Sequence, residues 1–94
     1  MELTEIKAKI TPILQKHSIR RAGLFGSVIT GNATDESNID VLVELESKVS
    51  LLEFVRIKLE LEDQLKTKVD LVEYQALKPR LKDRILSEEI RIYG

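Results

Sequence analysis

Apolar residues recur at helical spacing near the start of the chain, at Ile6, Ile10, Ile13 and Leu14. This spacing predicts an amphipathic helix from about Thr4 to His17, with Thr4 as its N-cap. Pro12 lies inside the pattern and is expected to bend the helix, because it cannot donate a hydrogen bond to the carbonyl of Ala8.

Three later segments have the patterns of β-strands. Ile19–Phe25 is a short candidate that carries two arginines. Ile39–Leu45 is the clearest strand, with one apolar face and a second face that includes Asp40. Lys68–Tyr74 is rich in β-branched and aromatic residues and places an acid, Asp70, between two apolar neighbours. An acid in that position needs an explanation.

Ser50 and Glu53 form a capping box at the start of a second helical pattern, which predicts a helix from about Leu51 to Lys66. Its apolar residues form two stripes on nearly opposite sides: Phe54, Ile57, Leu61 and Leu65 in the first stripe, and Leu52, Val55 and Leu59 in the second stripe. One stripe must face the sheet. The other is covered either by the terminal helices or by a partner or second copy, since exposed apolar stripes tend to mark interfaces.

The C-terminal segment predicts a third helix, from Pro79 in its first turn to about Leu86. Ile90–Tyr93 then adds an edge strand or packs loosely. Basic residues mark this helix, and they either contact a triphosphate or an acidic partner, or form a solvated face: Lys78, Arg80, Lys82 and Arg84. His17, the sole histidine, is expected to complement the dipole of the first helix rather than to bind a metal.

Composition narrows the functional classes. A length of 94 residues predicts one domain, residues 1–94, with one modest core. Fifteen Lys and Arg against sixteen Asp and Glu give a net charge of -1, so no direct binding of nucleic acid is expected. The absence of cysteine excludes disulfides and thiolate sites. Without a basic leader or a long apolar run, we expect no membrane span and a cytoplasmic location.

The candidate chemistry lies between the first two predicted strands. Gly26 and Ser27 stand ten residues ahead of a triplet that begins at Asn38 and ends at Asp40. Residues i and i+2 on a strand point the same way, so Asn38 and Asp40 are expected to project side by side. Asp70 supplies a third oxygen ligand if its strand is adjacent. Each part alone has a simpler interpretation as a turn or a strand-edge residue.

Together, these residues indicate metal-assisted nucleotidyl transfer. Clustered carboxylates repel one another unless a hard cation lies between them, and Mg²⁺ is held by a few carboxylates plus substrate phosphates. The predicted catalytic and metal-binding residues are therefore Asn38, Asp40 and Asp70, and one carboxylate can accept the proton of the attacking oxygen. Gly26 and Ser27 are the predicted nucleotide-binding residues, because glycine permits close backbone approach and a helix N-terminus offers amide donors to phosphate.

This combination resembles the minimal nucleotidyltransferase (MNT) family of the DNA polymerase β superfamily, whose members occur as antitoxins beside HEPN-domain toxins. The family pattern is Gly-Ser, ten residues, Asp-x-Asp and a third aspartate on a following strand, and Gly26, Ser27, Asp40 and Asp70 match it. The segments LFGS, SNIDVLVEL, KVDLV and ALKPRLKDRIL also look like the family. The resemblance implies an α+β fold, a small mixed β-sheet flanked by helices, of the polymerase β-like nucleotidyltransferase type.

The resemblance also implies a function. Family members transfer AMP from ATP to a hydroxyl, often a tyrosine, on the partner HEPN toxin, with Mg²⁺ as cofactor. A nucleotidyltransferase core with no second domain must receive its acceptor from another molecule, which agrees with this role. A homodimer or a hetero-oligomer remains open. The alternative is a module of the same fold that neutralises its toxin by binding, through one apolar stripe of the second helix.

Two departures from the family pattern predict weaker catalysis. Asn38 stands where the family has its first aspartate, and a neutral amide oxygen holds Mg²⁺ less well and cannot serve as a base. The segment Val28-Ile29-Thr30 lacks the arginine often found just before Gly31 in relatives, which removes a cationic contact to phosphate.

Overall fold

The structure is a computed structural model that describes residues 2–26 and 38–94. Within these ranges it contains three α-helices and four strands, in the order α1 (Leu3–Lys16), β1 (Ile19–Phe25), β2 (Ile39–Leu45), α2 (Leu51–Leu65), β3 (Val69–Glu73), α3 (Pro79–Glu88) and β4 (Ile90–Tyr93). A 3₁₀ turn at Tyr74–Ala76 follows β3. The helix N-terminus that the sequence predicts beside Gly26 and Ser27 lies outside the described residues.

The four strands form one mixed sheet in the order β3-β2-β1-β4. Strand β1, one of the two inner strands, is antiparallel to β2 and to β4, whereas β2 and β3 are parallel. A parallel pair needs a long crossover connection, and α2 provides it. The predicted α+β fold with a small mixed sheet is confirmed. The edge-strand interpretation of Ile90–Tyr93 is also confirmed, since this segment pairs with β1.

The hydrophobic core lies between one face of the sheet and the helices α1 and α2. The predicted apolar face of β2 supplies Ile39, Val41 and Val43 to it, and α1 supplies all four of its periodic residues. The first stripe of α2 contributes Ile57, Leu61 and Leu65, while Phe54 packs against the core only partly buried. Burial of one such aliphatic side chain contributes roughly 1.5–3 kcal/mol, so this face fixes how α2 docks.

The second stripe of α2 is open to solvent. Leu52 is 64%, Val55 39% and Leu59 54% exposed, and the neighbouring Leu51 is 78% exposed. The terminal helices α1 and α3 therefore do not cover this stripe, although that was one of the two predicted alternatives. The apolar surface remains available to another molecule.

The start of α1 differs from the prediction. The helix begins at Leu3 rather than after Thr4, and Glu2 occupies the N-cap position without a side-chain cap. The amide of Ile6 donates to the carbonyl of Glu2 at 3.0 Å. The N-cap position therefore lies two residues before Thr4, the predicted N-cap. This earlier start lets Leu3 pack against the core. Pro12 lies inside the helix and does not end it.

Of the two hydrogen bonds of the predicted capping box at the start of α2, the one accepted by the Ser50 side chain is confirmed. The Ser50 hydroxyl accepts a hydrogen bond from the amide of Glu53 at 3.1 Å. The carboxylate of Glu53 contacts Nδ1 of His17 at 3.0 Å. The helix ends one residue earlier than predicted, because Lys66 adopts a left-handed conformation with φ 57° and closes the last turn on the carbonyl of Glu62.

His17 links the C-terminal end of α1 to the side of α2. It occupies the C-cap position of α1, and its ring lies between two glutamates of α2, with Nδ1 3.0 Å from Glu53 and Nε2 2.7 Å from Glu60. Lys16 adds a second contact to Glu60 at 2.9 Å. We call Lys16, His17, Glu53 and Glu60 the His17 clasp. The helix-end position was predicted, but the two glutamate partners were not.

The third helix begins with Pro79 in its first turn, as predicted, and runs to Glu88 rather than stopping at Leu86. It has no buried residue. Its basic residues all lie at the surface: Lys78, Arg80, Lys82 and Arg84. Among the described residues, no helix combines the length and apolar character needed to cross a membrane.

Candidate active site

Two aspartates meet on neighbouring parallel strands. The register of β2 and β3 places Asp40 directly beside Asp70. Neighbouring strands lie about 4.8 Å apart, so the two carboxylates on the shared face come within contact range. Asn38 precedes β2 by one residue, and its side-chain amide donates a hydrogen bond to Oδ2 of Asp70 at 3.1 Å. The structure thus brings together the three residues for which the sequence predicted catalysis and metal binding.

Crowding of the two carboxylates shifts the protonation of Asp40. Partial burial, followed by the hydrogen bond and the negative charge of Asp70, raises the pKa of Asp40 from 3.8 to about 6. Within the described part of the chain, neither aspartate has an ion-pair partner. Two carboxylates that lie close together without a compensating positive charge are suitable ligands for a hard divalent cation.

Asn38 changes the charge of this site. An aspartate at the same position would bring a third carboxylate, whereas the amide is neutral and donates a hydrogen bond to Asp70. In residues 2–26 and 38–94 there is no group of three carboxylate, imidazole or thiolate side chains placed to hold a metal. A cation at this site would therefore have two carboxylates, Asp40 and Asp70, with at most an amide oxygen from Asn38.

Gly26 brings the backbone of the turn after β1 against Asp40. It adopts a left-handed conformation with φ +79°, and a Cβ placed there would lie 2.2 Å from Oδ2 of Asp40. No residue with a side chain fits this position without displacing the carboxylate. Ser27 and the segment Val28-Ile29-Thr30 lie outside the described residues, so their predicted roles toward phosphate stay predictions.

A cluster that no sequence motif indicated lies on the same face of the sheet. Tyr74 is buried, and its hydroxyl donates a hydrogen bond to the carboxylate of Glu89. Burial, together with the hydrogen bond and negative charge of Glu89, raises the pKa of the Tyr74 hydroxyl. Arg91 approaches the same carboxylate at 3.4 Å. Gly23 leaves the room for it, because a Cβ there would lie 2.4 Å from Glu89.

Arg21 extends this cluster to the neighbouring strand. Its guanidinium carbon lies 4.2 Å from the centroid of the Tyr74 ring, and its Nε donates to Glu44 at 3.0 Å. The contacts tie β1, β2 and β4 to the 3₁₀ turn that follows β3. They hold together the sheet face that carries Asp40 and Asp70. The only sequence signal was the small residue Gly23 within a strand pattern.

Comparison with known proteins places this geometry in a family. Residues 8–94 match the family described as Polymerase beta, Nucleotidyltransferase. A provisionally named protein adenylyltransferase from Methanocaldococcus jannaschii is 47% identical over 92 residues, covering 98% of this chain and 99% of the relative.

Solved structures agree with the same assignment. One described provisionally as a minimal nucleotidyltransferase is 36% identical, with a TM-score of 0.80, and the match covers 96% of this chain and 95% of that one. A chain in the structure of the tri-AMPylated Shewanella oneidensis HEPN toxin in complex with an MNT antitoxin shares the fold, with a TM-score of 0.75 at 19% identity, covering 97% of this chain and 71% of that one. The predicted resemblance is confirmed: the chain belongs to the polymerase beta nucleotidyltransferase family.

Proposed function

We propose that this chain is an antitoxin-type protein adenylyltransferase, which transfers AMP from ATP to a hydroxyl, that of a tyrosine, on a partner HEPN toxin. The pairing of Asp40 with Asp70 beside the turn at Gly26 is the observation that carries this proposal. The name of the Methanocaldococcus jannaschii relative supports the reaction. The AMPylated HEPN toxin in the structural neighbour supports the kind of acceptor.

The residues of the site fit Mg²⁺ as the cofactor. Asp40 and Asp70 would hold the ion, and the Asn38 amide oxygen would be a weaker, neutral third ligand. When bound, Mg²⁺ supplies neutralisation of the triphosphate charge and orientation of its phosphates. The pKa of Asp40 is raised to about 6, first by burial and then by the hydrogen bond and negative charge of Asp70, and a bound cation would favour the ionised carboxylate.

The chain's own groups then position the substrates and accept a proton. The acceptor oxygen forms a bond to the α-phosphorus of ATP, the bond from that phosphorus to the bridging oxygen breaks, and pyrophosphate leaves. The proton of the acceptor hydroxyl passes to one of the two carboxylates, Asp40 or Asp70, which is general-base catalysis. Gly26 and Ser27 would hold the phosphates through backbone amides and a hydroxyl.

Asn38 makes slow transfer the expected behaviour of this chain. If the amide in place of a carboxylate removes one metal site, transition-state stabilisation falls by several kcal/mol, on the order of what a metal ion commonly contributes. The fold and the two remaining carboxylates are retained. The chain therefore keeps the architecture of a transferase with a reduced rate.

A second candidate function rests on the open second stripe of α2. Leu52 and Leu59 are 64% and 54% exposed, and apolar side chains exposed to this degree in a row suit a protein partner. In this alternative, the chain neutralises the toxin by covering its surface and no AMP is transferred.

Intact-mass spectrometry of the toxin distinguishes the two functions. The chain is incubated with a HEPN toxin from the same organism, ATP and Mg²⁺, and an Asp40→Ala variant serves as the control. The enzyme proposal predicts slow addition of AMP masses to the toxin by the unmodified chain, and none by the variant. An unchanged toxin mass at saturating ATP, with the complex intact, would favour the binding function instead.

A further inference from the structure

Strand β3 forms one edge of the sheet. The amide of Ile39 donates to the carbonyl of Lys68 at 2.9 Å, and residues 68, 70 and 72 accordingly direct their backbone groups toward β2. Val69, Leu71 and Glu73 direct theirs outward. In agreement, the Val69 amide donates to a side chain, the carboxylate of Glu62, at 2.9 Å. The outward amides of Leu71 and Glu73 have no strand beside them in the described part of the sheet.

A groove runs along this free edge. It has a volume of about 440 Å³ and lies between β3 and the start of α2, on the side of the sheet that the helices cover. Apolar side chains dominate its lining, chiefly Leu51, Phe54, Leu71 and Ala76. An unpaired strand edge beside apolar pockets is the arrangement that binds an extended peptide by strand addition, in which main-chain hydrogen bonds give affinity and pockets for alternate side chains give specificity.

The free edge also lies on the opposite side of Asp40 from the turn at Gly26. Gly26 touches Asp40 from the β1 side, and Asp70 flanks Asp40 on the β3 side. In an in-line displacement, the attacking oxygen and the leaving pyrophosphate lie on opposite sides of the phosphorus. If the turn at Gly26 holds the triphosphate, the acceptor hydroxyl arrives over Asp70.

We propose that the acceptor hydroxyl lies on an extended segment of the toxin, and that this segment adds to the free edge of β3 as a further strand. The inference rests on the transferase function proposed above. A segment residue opposite Asp70 shares its face of the sheet, with Cβ atoms about 4.5–5.5 Å apart, so its hydroxyl reaches the carboxylates. The residues on either side of it point into the groove, since side chains alternate between faces.

Charge defines the segment further. Asp70 and Glu73 lie on the outer strand and have no ion-pair partner among the described residues, and the contact to Glu73 is a neutral one from the Gln75 amide at 2.9 Å. An acidic segment would be repelled by these carboxylates. The complementary segment has a hydroxyl residue, an apolar residue next to it, and Lys or Arg three positions away, opposite Glu73.

Glu73→Pro tests the edge, with Glu73→Ala as the matched control. Glu73 has φ -80° and ψ 142°, which proline adopts, and its amide points outward, so the ladder to β2 is kept. Both variants lose the carboxylate, but only the proline variant loses the amide. We expect Glu73→Pro to lower AMP transfer to the toxin by about tenfold relative to Glu73→Ala, the order of magnitude for one lost intermolecular hydrogen bond. Affinity for AMP-PNP should be unchanged.

Hydrogen exchange on the unmodified chain tests the same edge without chemistry. Adding the toxin should slow exchange of the Leu71 and Glu73 amides, whereas AMP-PNP alone should not. Unchanged exchange in the toxin complex, or equal transfer by Glu73→Pro and Glu73→Ala, would overturn the inference. Slowed exchange without any AMP transfer would contradict the transferase function and the acceptor role, and would leave the edge as a binding surface.

Discussion

At the residue scale, the site is governed by the repulsion between two carboxylates and by the groups that relieve it. Asp40 and Asp70 face each other across parallel strands, and the Asn38 amide donates to Asp70. Strand alternation alone predicted that Asn38 and Asp40 point the same way. The contact between Asp40 and Asp70 required the register of β2 and β3, which depends on how the intervening helix packs and could not be read from spacing.

The raised pKa of Asp40 predicts a pH-dependent stability in the absence of metal. Its pKa in the folded state, about 6, exceeds the ordinary value of 3.8, so the folded state binds the proton more tightly. The penalty of holding Asp40 ionised appears as the pH rises from about 4 to 6. Asp40→Asn should therefore stabilise the chain more at pH 7 than at pH 4, measured by urea unfolding in EDTA. Equal stabilisation at both pH values would contradict this account.

At the element scale, local signals specified the strands well and the ends of helices less well. β1 and β2 have the predicted bounds, Ile19–Phe25 and Ile39–Leu45. β3 is shorter than predicted, since Tyr74 begins a 3₁₀ turn that places its hydroxyl on Glu89. The partners of His17 escaped prediction for a physical reason. Two glutamates seven residues apart face one histidine only after α1 and α2 have docked.

The His17 clasp predicts a second pH dependence, of opposite sign. Hydrogen bonds from Lys16 and His17 lower the pKa of Glu60 below 4.5. The stabilisation is present above the ordinary pKa and is lost as the pH falls through the folded value. Glu60→Gln should thus lower the free energy of unfolding at pH 7 but have little effect at pH 2–3. Glu88→Gln, on the exposed helix α3, is the control, and an equal effect of the two substitutions at pH 7 would argue against the clasp.

At the scale of the whole molecule, the fold leaves two surfaces for other molecules: the second stripe of α2 and the free edge of β3. The sequence predicted two apolar stripes, but both have helical periodicity, so the pattern could not tell which one the sheet would cover. In the structure, Ile57, Leu61 and Leu65 pack in the core, so the sheet covers the first stripe. The free edge depends on strand order, which sequence patterns do not specify. The family resemblance predicted the fold class. The pairing of Asp40 with Asp70 followed only from the register of β2 and β3.

The open stripe can be tested as a partner surface. Leu59 is 54% exposed, so Leu59→Glu should leave the fold intact and, if the toxin binds there, weaken the complex by about tenfold or more. Arg56→Glu, at an exposed position three residues earlier on the same helix, controls for added negative charge. Isothermal titration of the toxin gives the affinities. Unchanged affinity for Leu59→Glu would remove the second stripe from the interface.

The most direct test of the central claim is restoration of the carboxylate at position 38. With toxin, ATP and Mg²⁺, intact-mass spectrometry should show faster addition of AMP by Asn38→Asp than by the unmodified chain, because a third carboxylate strengthens the metal site. Adding Asp40→Ala to that variant should abolish the transfer. If Asn38→Asp adds no AMP at saturating ATP, or if the transfer survives Asp40→Ala, then Asn38, Asp40 and Asp70 do not form the catalytic site proposed here.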